Sequence, residues 1–539
     1  MGNRLLVMVL VWAAVSVCNP ISAQTKTKKK STIQLSKQYV KYAKDKAKGK
    51  KQLAQKRSND PATVTRDSAG QEKPKTFEDV YNEFRQQAQR DYENFRDEAN
   101  RQYAEFVKEA WKQYKVMPAI PKPKDEEKPP VVIKDEERQK PIEDKPLPIK
   151  DTITPPAPEP QPVPVAPIRE QPKPAEKHVS FMVYGTDMKV RFNDDQRFVL
   201  TDCSEQSVGD MWQQLSGKDY NNTIRDCLEL RITKRLSDWA YLNMLSKMAE
   251  ACLGKGNAAT LLTAYIFCQS GYQMRLARVG EQLKLLFGTE HIIYGKGFYR
   301  IDDVDYYMYD GEEEHLHICN VAFPQEKPLS LLVPQQQDFA VVKSPERTLK
   351  SDLFVDMNVK VCVNKNLIDF YSNYPTSMIN SNFITRWAMY ANSPMDQTVK
   401  DGLYSVLREK LKGRSELSSM EHLLNWLQTA FVYEYDDKVW GCDRAFFAEE
   451  SLFYPYCDCE DRSILLSRLV RDLLGLKVIL VFYPGHLAMA VHFTQEVKGD
   501  YIMLDGKKYV ICDPTYINAP VGKTMPRMNN KEATVILLE

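Results

Sequence analysis

The sequence predicts an α+β protein whose globular part begins near His178 and is built from buried helices that feed strands. Three observations predict it. Ser463 to Leu474 is an apolar run of helix length (Ile464, Leu465, Leu466, Leu469, Val470, Leu473, Leu474), and Gly475 suits the left-handed position that ends a helix. Lys477 to Phe482 is an apolar run of strand length, Pro484-Gly485 makes a turn, and His486 to Phe493 alternates strictly. Ahead of all this lie a long charged helix and a stretch crowded with proline, neither of which contains the makings of a core.

The C-terminal stretch carries the chemistry. A thiol reacts as its thiolate, so a nucleophilic cysteine needs a helix N-terminus or an imidazolium beside it. Cys459, in Tyr456-Cys457-Asp458-Cys459-Glu460-Asp461-Arg462, stands just ahead of the buried helix. On the strand after it, Leu487, Met489, Val491 and Phe493 share one face, and His486, Ala488, Ala490 and His492 share the other. The two alanines are expected to leave room beside the helix, so that the His486 imidazole reaches the thiol. Asp505-Gly506 joins Tyr501–Leu504 to Lys507–Cys512 as a hairpin, and Asp513 closes it where a carboxylate could hold an imidazole tautomer. Gln428, in an upstream helix that Ser418 and Glu421 are expected to cap, is the candidate oxyanion donor.

Cys-Glu-Asp opening a helix, Gly-His opening a strand and a closing Asp513-Pro514-Thr515 resemble the transglutaminase-like superfamily, relatives of the papain-like thiol enzymes. The likeness covers about the last 120 residues. It implies Cys459 as nucleophile, His486 as general base and acid, and Asp513 as the group orienting the imidazole. In that family a small residue often stands two places before the nucleophile; here it is Cys457, which makes Cys457 a competing nucleophile. The implied reaction is acyl transfer on a protein or peptide amide, ending in hydrolysis or cross-linking, with no cofactor. Two other readings stand beside it: zinc held by Cys457, Cys459, His486 and Cys512, and buried inert thiols. A rival of another class is a catalytically inactive peptide-binding or scaffolding module of the cell envelope.

The rest of the 539-residue chain divides by composition. Residues 1–23 have Arg4, an apolar run from Leu5 to Val17 and Ile21-Ser22-Ala23, the pattern of a secretory signal peptide. That expects a bacterial protein secreted across the inner membrane, periplasmic or attached to the envelope, with Cys18 as the one residue a lipid could modify. Ten cysteines follow, too few in a chain this long for a disulfide scaffold. A net charge of +2 says nothing about partners overall, because the charge is uneven; no nucleic-acid partner is expected. Residues 24–57 hold thirteen Lys/Arg against Asp45, so 24–75 is expected to be a basic, disordered tail that could meet an anionic envelope surface.

Residues 76–116 predict a long helix with an 11-residue repeat: Tyr81-Phe84-Ala88, Tyr92-Phe95-Ala99, Tyr103-Phe106-Ala110, then Tyr114. An aromatic stripe on a charged helix needs a partner, and self-association as a coiled coil is the simplest. Residues 117–177 are expected to form a Pro-rich disordered linker, because 17 of the 31 prolines lie between Pro118 and Pro174. Residues 178–335 are expected to be an α+β domain, a degenerate copy of the transglutaminase-like unit. Its helix–Gly–strand order echoes the C-terminal one, with Lys255 where Cys459 stands. Residues 336–539 are then the catalytic domain. Phe446, Phe447, Phe453 and Tyr454 are expected either to wall a substrate groove or to lie in the core.

Overall fold

A computed structural model of the chain describes residues 64–66, 72–74, 77–122, 128–172, 176–379 and 382–539. The expected signal peptide and the lysine-rich run 24–57 lie outside the described residues. Val64–Arg66 and Glu72–Pro74 pair antiparallel and belong to one unit; Phe77–Glu539 is a second. The second unit is mixed α+β with barrel-like sheets. Among the described residues no helix is long and apolar enough to cross a membrane.

The long helix runs Phe77–Glu109 and stops short of its expected end. Trp111–Lys115, the aromatic tail of the repeat, is a strand at one edge of a six-stranded sheet, antiparallel to His315–Cys319. Aromatic residues favour a pleated, half-buried surface, and that sheet supplies one. Part of the helix finds a partner inside the chain: Ala99 and Tyr103 of the stripe, with Ala104 and Val107 beside them, are buried, and the helix packs on Glu205–Leu215 with Tyr103 and Trp212 ring centroids 4.6 Å apart, while Tyr92 stays exposed. Asn100 and Gln269 exchange amide hydrogen bonds of 3.0 and 2.9 Å, fixing the long helix to the buried helix Asn257–Gln269.

Two sheets each receive a buried helix. Asn257–Gln269 ends at Gly271 and leads into Met274–Val279, Gln282–Thr289, Val304–Met308 and Tyr299–Ile301 of the six-stranded sheet. Cys459–Leu474 ends at Gly475, in the left-handed region at φ 67°, and leads into a seven-stranded sheet. One apolar core runs unbroken from Ala99 to Ile536, so the boundary expected near residue 335 is not a break in packing. Aromatics bridge it: Tyr184 packs on Phe339 at 5.1 Å and on Phe370 at 5.2 Å. Phe446 and Phe447 are core residues, not a groove wall.

The seven-stranded sheet runs Lys145–Pro146, Asp500–Leu504, Lys507–Cys512, His486–His492, Lys477–Tyr483, Thr534–Leu537, Asp151–Ile153. Both outer strands come from the Pro-rich segment, and both are parallel to their neighbours. Seven strands about 4.8 Å apart would separate the outer two by roughly 29 Å in a flat sheet. The five Cα steps from Pro146 to Asp151 cover at most about 18 Å. The sheet must therefore curl, and the curl encloses Leu147, Ile479, Val481, Ala488, Ala490, Ile502, Ile511 and Val535 as a core of its own.

Two expectations change here. The Pro-rich segment is not a free spacer. Proline denies it regular internal hydrogen bonds, so it lies extended and borrows the edges of the barrel: Leu147 N–H bonds Tyr501 O and Lys150 N–H bonds Ala533 O, each at 2.7 Å. Ala488 and Ala490 face the barrel interior, whereas Leu487, Met489 and Val491 face the helix side. The alanines make room for Leu147, not for an imidazole.

Leu147→Ala should therefore lower unfolding stability by about 2–5 kcal/mol, read from the urea midpoint. An unchanged midpoint would mean the segment is a spacer after all.

Candidate functional site

The Cys helix begins at Cys459 itself, four residues earlier than the apolar run suggests. Asp458 is the N-cap: its side chain accepts from Asp461 N–H, and the Asp461 carboxylate accepts from Asp458 N–H, each at 3.4 Å. This reciprocal box fixes the first turn and leaves Cys459 at the positive end of the helix dipole. Ser463, one turn on along the same face, donates to Leu487 O at 2.8 Å. Leu487 follows His486, so the helix start is tied to the start of the histidine strand.

His486 is set by a tight turn. Tyr483 pairs with His486 across Pro484-Gly485, with proline second of the four turn residues and Gly485 third at φ 76°, as a type II turn favours. His486 Nε2 lies 2.9 Å from Asp513 Oδ2. Asp513 Oδ1 accepts from Thr515 N–H at 2.8 Å, so both carboxylate oxygens are fixed. His486 Nδ1 is buried and makes no hydrogen bond. The geometry thus holds the imidazole by one nitrogen and keeps the other for a further partner.

The Cys459 thiol donates to Glu460 Oε2 at 3.2 Å. Burial, with Asp443 beside it, pushes the Glu460 carboxyl up, against the opposing pull of Arg386. Burial, then Asp436 and Glu460, pushes Asp461 well above the carboxylate range. A thiolate 3.2 Å from a carboxylate would be repelled by about 5 kcal/mol at an effective dielectric near 20, more than the ~0.3–2 kcal/mol a helix dipole returns. Beside an ionised Glu460 the sulfur is held as a thiol; beside a neutral one this repulsion is absent.

Arg462 and Gln428 hold these pieces together. Buried Arg462 donates to Gln428 O at 3.1 Å, Phe431 O at 2.8 Å and Pro514 O at 3.4 Å. Gln428 Nε2 donates to Asp513 O and Ala519 O, each at 3.1 Å. Both of its N–H bonds are spent on backbone carbonyls, so Gln428 has no donor to offer an oxyanion. It sits in the helix Glu416–Ala430, which Ser415 caps instead of Ser418. Sequence reasoning missed Asp458, Glu460, Arg462 and Ser463. Asp-x-x-Asp ahead of the apolar run was the available signal for the cap.

Cys457 lies beside Tyr433 in a short parallel pair, and burial pushes its thiol up; burial does the same to Cys512 more strongly. Neither suits a nucleophile. The ten described cysteines are all free thiols. Among the described residues, the groups able to share a cation are Asp458-Cys459-Glu460, Asp436-Asp458-Asp461 and Asp436-Asp443-Glu460. His486, Cys457 and Cys512 belong to none of them, so the zinc set does not converge. Arg386 already lies 3.3 Å from Asp443 within the acidic cluster.

In comparisons with known proteins, the chain matches no family model, no curated protein and no solved structure.

Gln428→Ala should cost about 1–3 kcal/mol of stability, because it strips the donor from two buried carbonyls; an oxyanion donor would instead lower turnover at unchanged stability. A second outcome concerns pH. Burial pushes Glu449, just upstream, up to about 8. The folded state then holds a proton that the unfolded chain loses near pH 4.3. Stability should fall as pH rises from about 4.5 towards about 8, and Glu449→Gln should flatten that slope in urea titrations at pH 6 and pH 9.

Proposed function

We propose that the chain is a secreted, transglutaminase-like (papain-like) cysteine enzyme of the bacterial envelope that transfers acyl groups from protein or peptide amides. The buried His486–Asp513 bond, with Nδ1 left open beside a helix that starts at Cys459, is the observation that carries this reading. Cys459 gives its proton to His486 Nδ1, and the thiolate attacks the amide carbonyl. The C–N bond breaks, a thioester forms on Cys459, and His486 returns the proton to the departing amine. Water or a second amine, deprotonated by His486, then attacks the thioester and frees the thiol. Asp513 keeps the imidazole in the tautomer that needs Nδ1 as acceptor.

The six-stranded sheet and its helix fit a degenerate copy of the same unit. Its helix starts at Asn257 after Gly254-Lys255-Gly256, with no cysteine there. A module that binds peptide without cleaving it is the second reading, and this cysteine-free helix favours it for that half.

Iodoacetamide at mildly acidic pH, read by peptide mass spectrometry, separates the two for the C-terminal half. An activated thiol should give labelling selective for Cys459 that falls about tenfold or more in His486→Ala. Slow, even labelling of all cysteines, unchanged by the substitution, would leave only the binding module.

A further inference from the structure

The site as it stands is closed: Cys459, His486 and Asp513 are each at most 3 % exposed. Part of what lies over its neighbourhood is the chain's own Pro-rich segment. Lys128 N–H donates to Gly485 O at 2.9 Å, the carbonyl directly before His486. Val131–Val132 then runs parallel to Tyr516–Ile517, three residues past Asp513, and Ile133 N–H donates to Ile517 O at 3.0 Å. Ile133 is 5 % exposed in a pocket with Tyr516, Ala519 and Met525, whereas Val132 is 63 % exposed and points away. Pro129-Pro130 keeps the backbone extended between the two attachments.

Main-chain bonds along a free edge with one alternate side chain in a pocket are how a protein takes an extended peptide. We propose that the edge beside His486 and Asp513 receives an extended polypeptide with an aliphatic side chain in the Tyr516–Ala519–Met525 pocket, and that Lys128–Ile133 is its resident occupant. This rests on the acyl-transfer reading and names the substrate class for it. The occupant can leave without unfolding the barrel. Its hold is a few backbone bonds and one buried isoleucine, while Leu147 secures the same segment inside the barrel independently. Asp135–Arg138, between them, buries nothing.

The full chain tests this with Lys128→Pro, which removes the donor to Gly485 O and creates no cavity, and with Ile133→Asp, which empties the pocket. The rate of Cys459 alkylation should rise about tenfold in each, the equivalent of one or two net hydrogen bonds, with the melting temperature of Lys128→Pro retained. A synthetic peptide spanning residues 126–135 should slow the accelerated variants, and the same peptide carrying Asp for Ile133 should not. Unchanged alkylation in a folded Lys128→Pro variant, or equal effects of the two peptides, would overturn the proposal. If Cys459 labelling still depends on His486 in that case, the acyl-transfer reading stands and only the occupant fails.

Discussion

The arrangement depends on one buried guanidinium. Arg462 sits three residues into the Cys helix and donates to carbonyls of the upstream helix end, at Gln428 and Phe431, and of the aspartate loop, at Pro514. Each carbonyl would otherwise be a buried acceptor at the end of an element, where the helix or strand no longer provides a donor. One planar fork meets three of them, and its face lies 5.3 Å over the Tyr433 ring. The consequence is geometric. Cys459 and Asp513 belong to elements more than fifty residues apart, and Arg462 makes their separation a property of one side chain. Gln428 adds a second brace to the same loop through Asp513 O. Only then does the single bond from Asp513 to His486 have a fixed direction.

Around this frame the charge is placed against the thiolate as much as for it. The helix N-terminus favours ionisation; Asp458 and Glu460, the acidic groups within reach of the sulfur, oppose it where they are charged. The nearest acidic group is Glu460, which accepts from the Cys459 thiol and which burial pushes towards its neutral form. The strand-like segment over Gly485 and Ile517 acts in the same direction, by keeping water and peptide out.

Local pattern made the chemistry-bearing elements legible. Pro484-Gly485 and Asp505-Gly506 define their turns by backbone demand alone, the second with both residues at positive φ. The run ending at Gly475 defines its helix. What local pattern could not show is long-range pairing. Leu147 and Ile133 are apolar residues among prolines and charges, and nothing near them in sequence announces that each fills a hole made by residues more than three hundred positions later. The same limit explains Ala488 and Ala490, whose small size was legible but whose neighbour was not. Trp111 and Tyr114 continue a helical repeat in sequence and are strand in space, because His315–Cys319 offers an open edge that a solvent-exposed helix turn cannot match. Gln428 stood out in sequence only as a candidate oxyanion donor; that it is buried and that its donors face carbonyls depends on the aspartate loop.

The most direct test is the pH–rate profile of Cys459 alkylation in the wild type and in Asp513→Asn. If Asp513 orients His486 towards the thiol, the wild-type rate should climb through an ionisation well below the ordinary thiol value of about 8.5, and Asp513→Asn should move that ionisation upward. A single inflection near the ordinary value in both proteins would mean that Cys459, His486 and Asp513 are neighbours without being a catalytic unit.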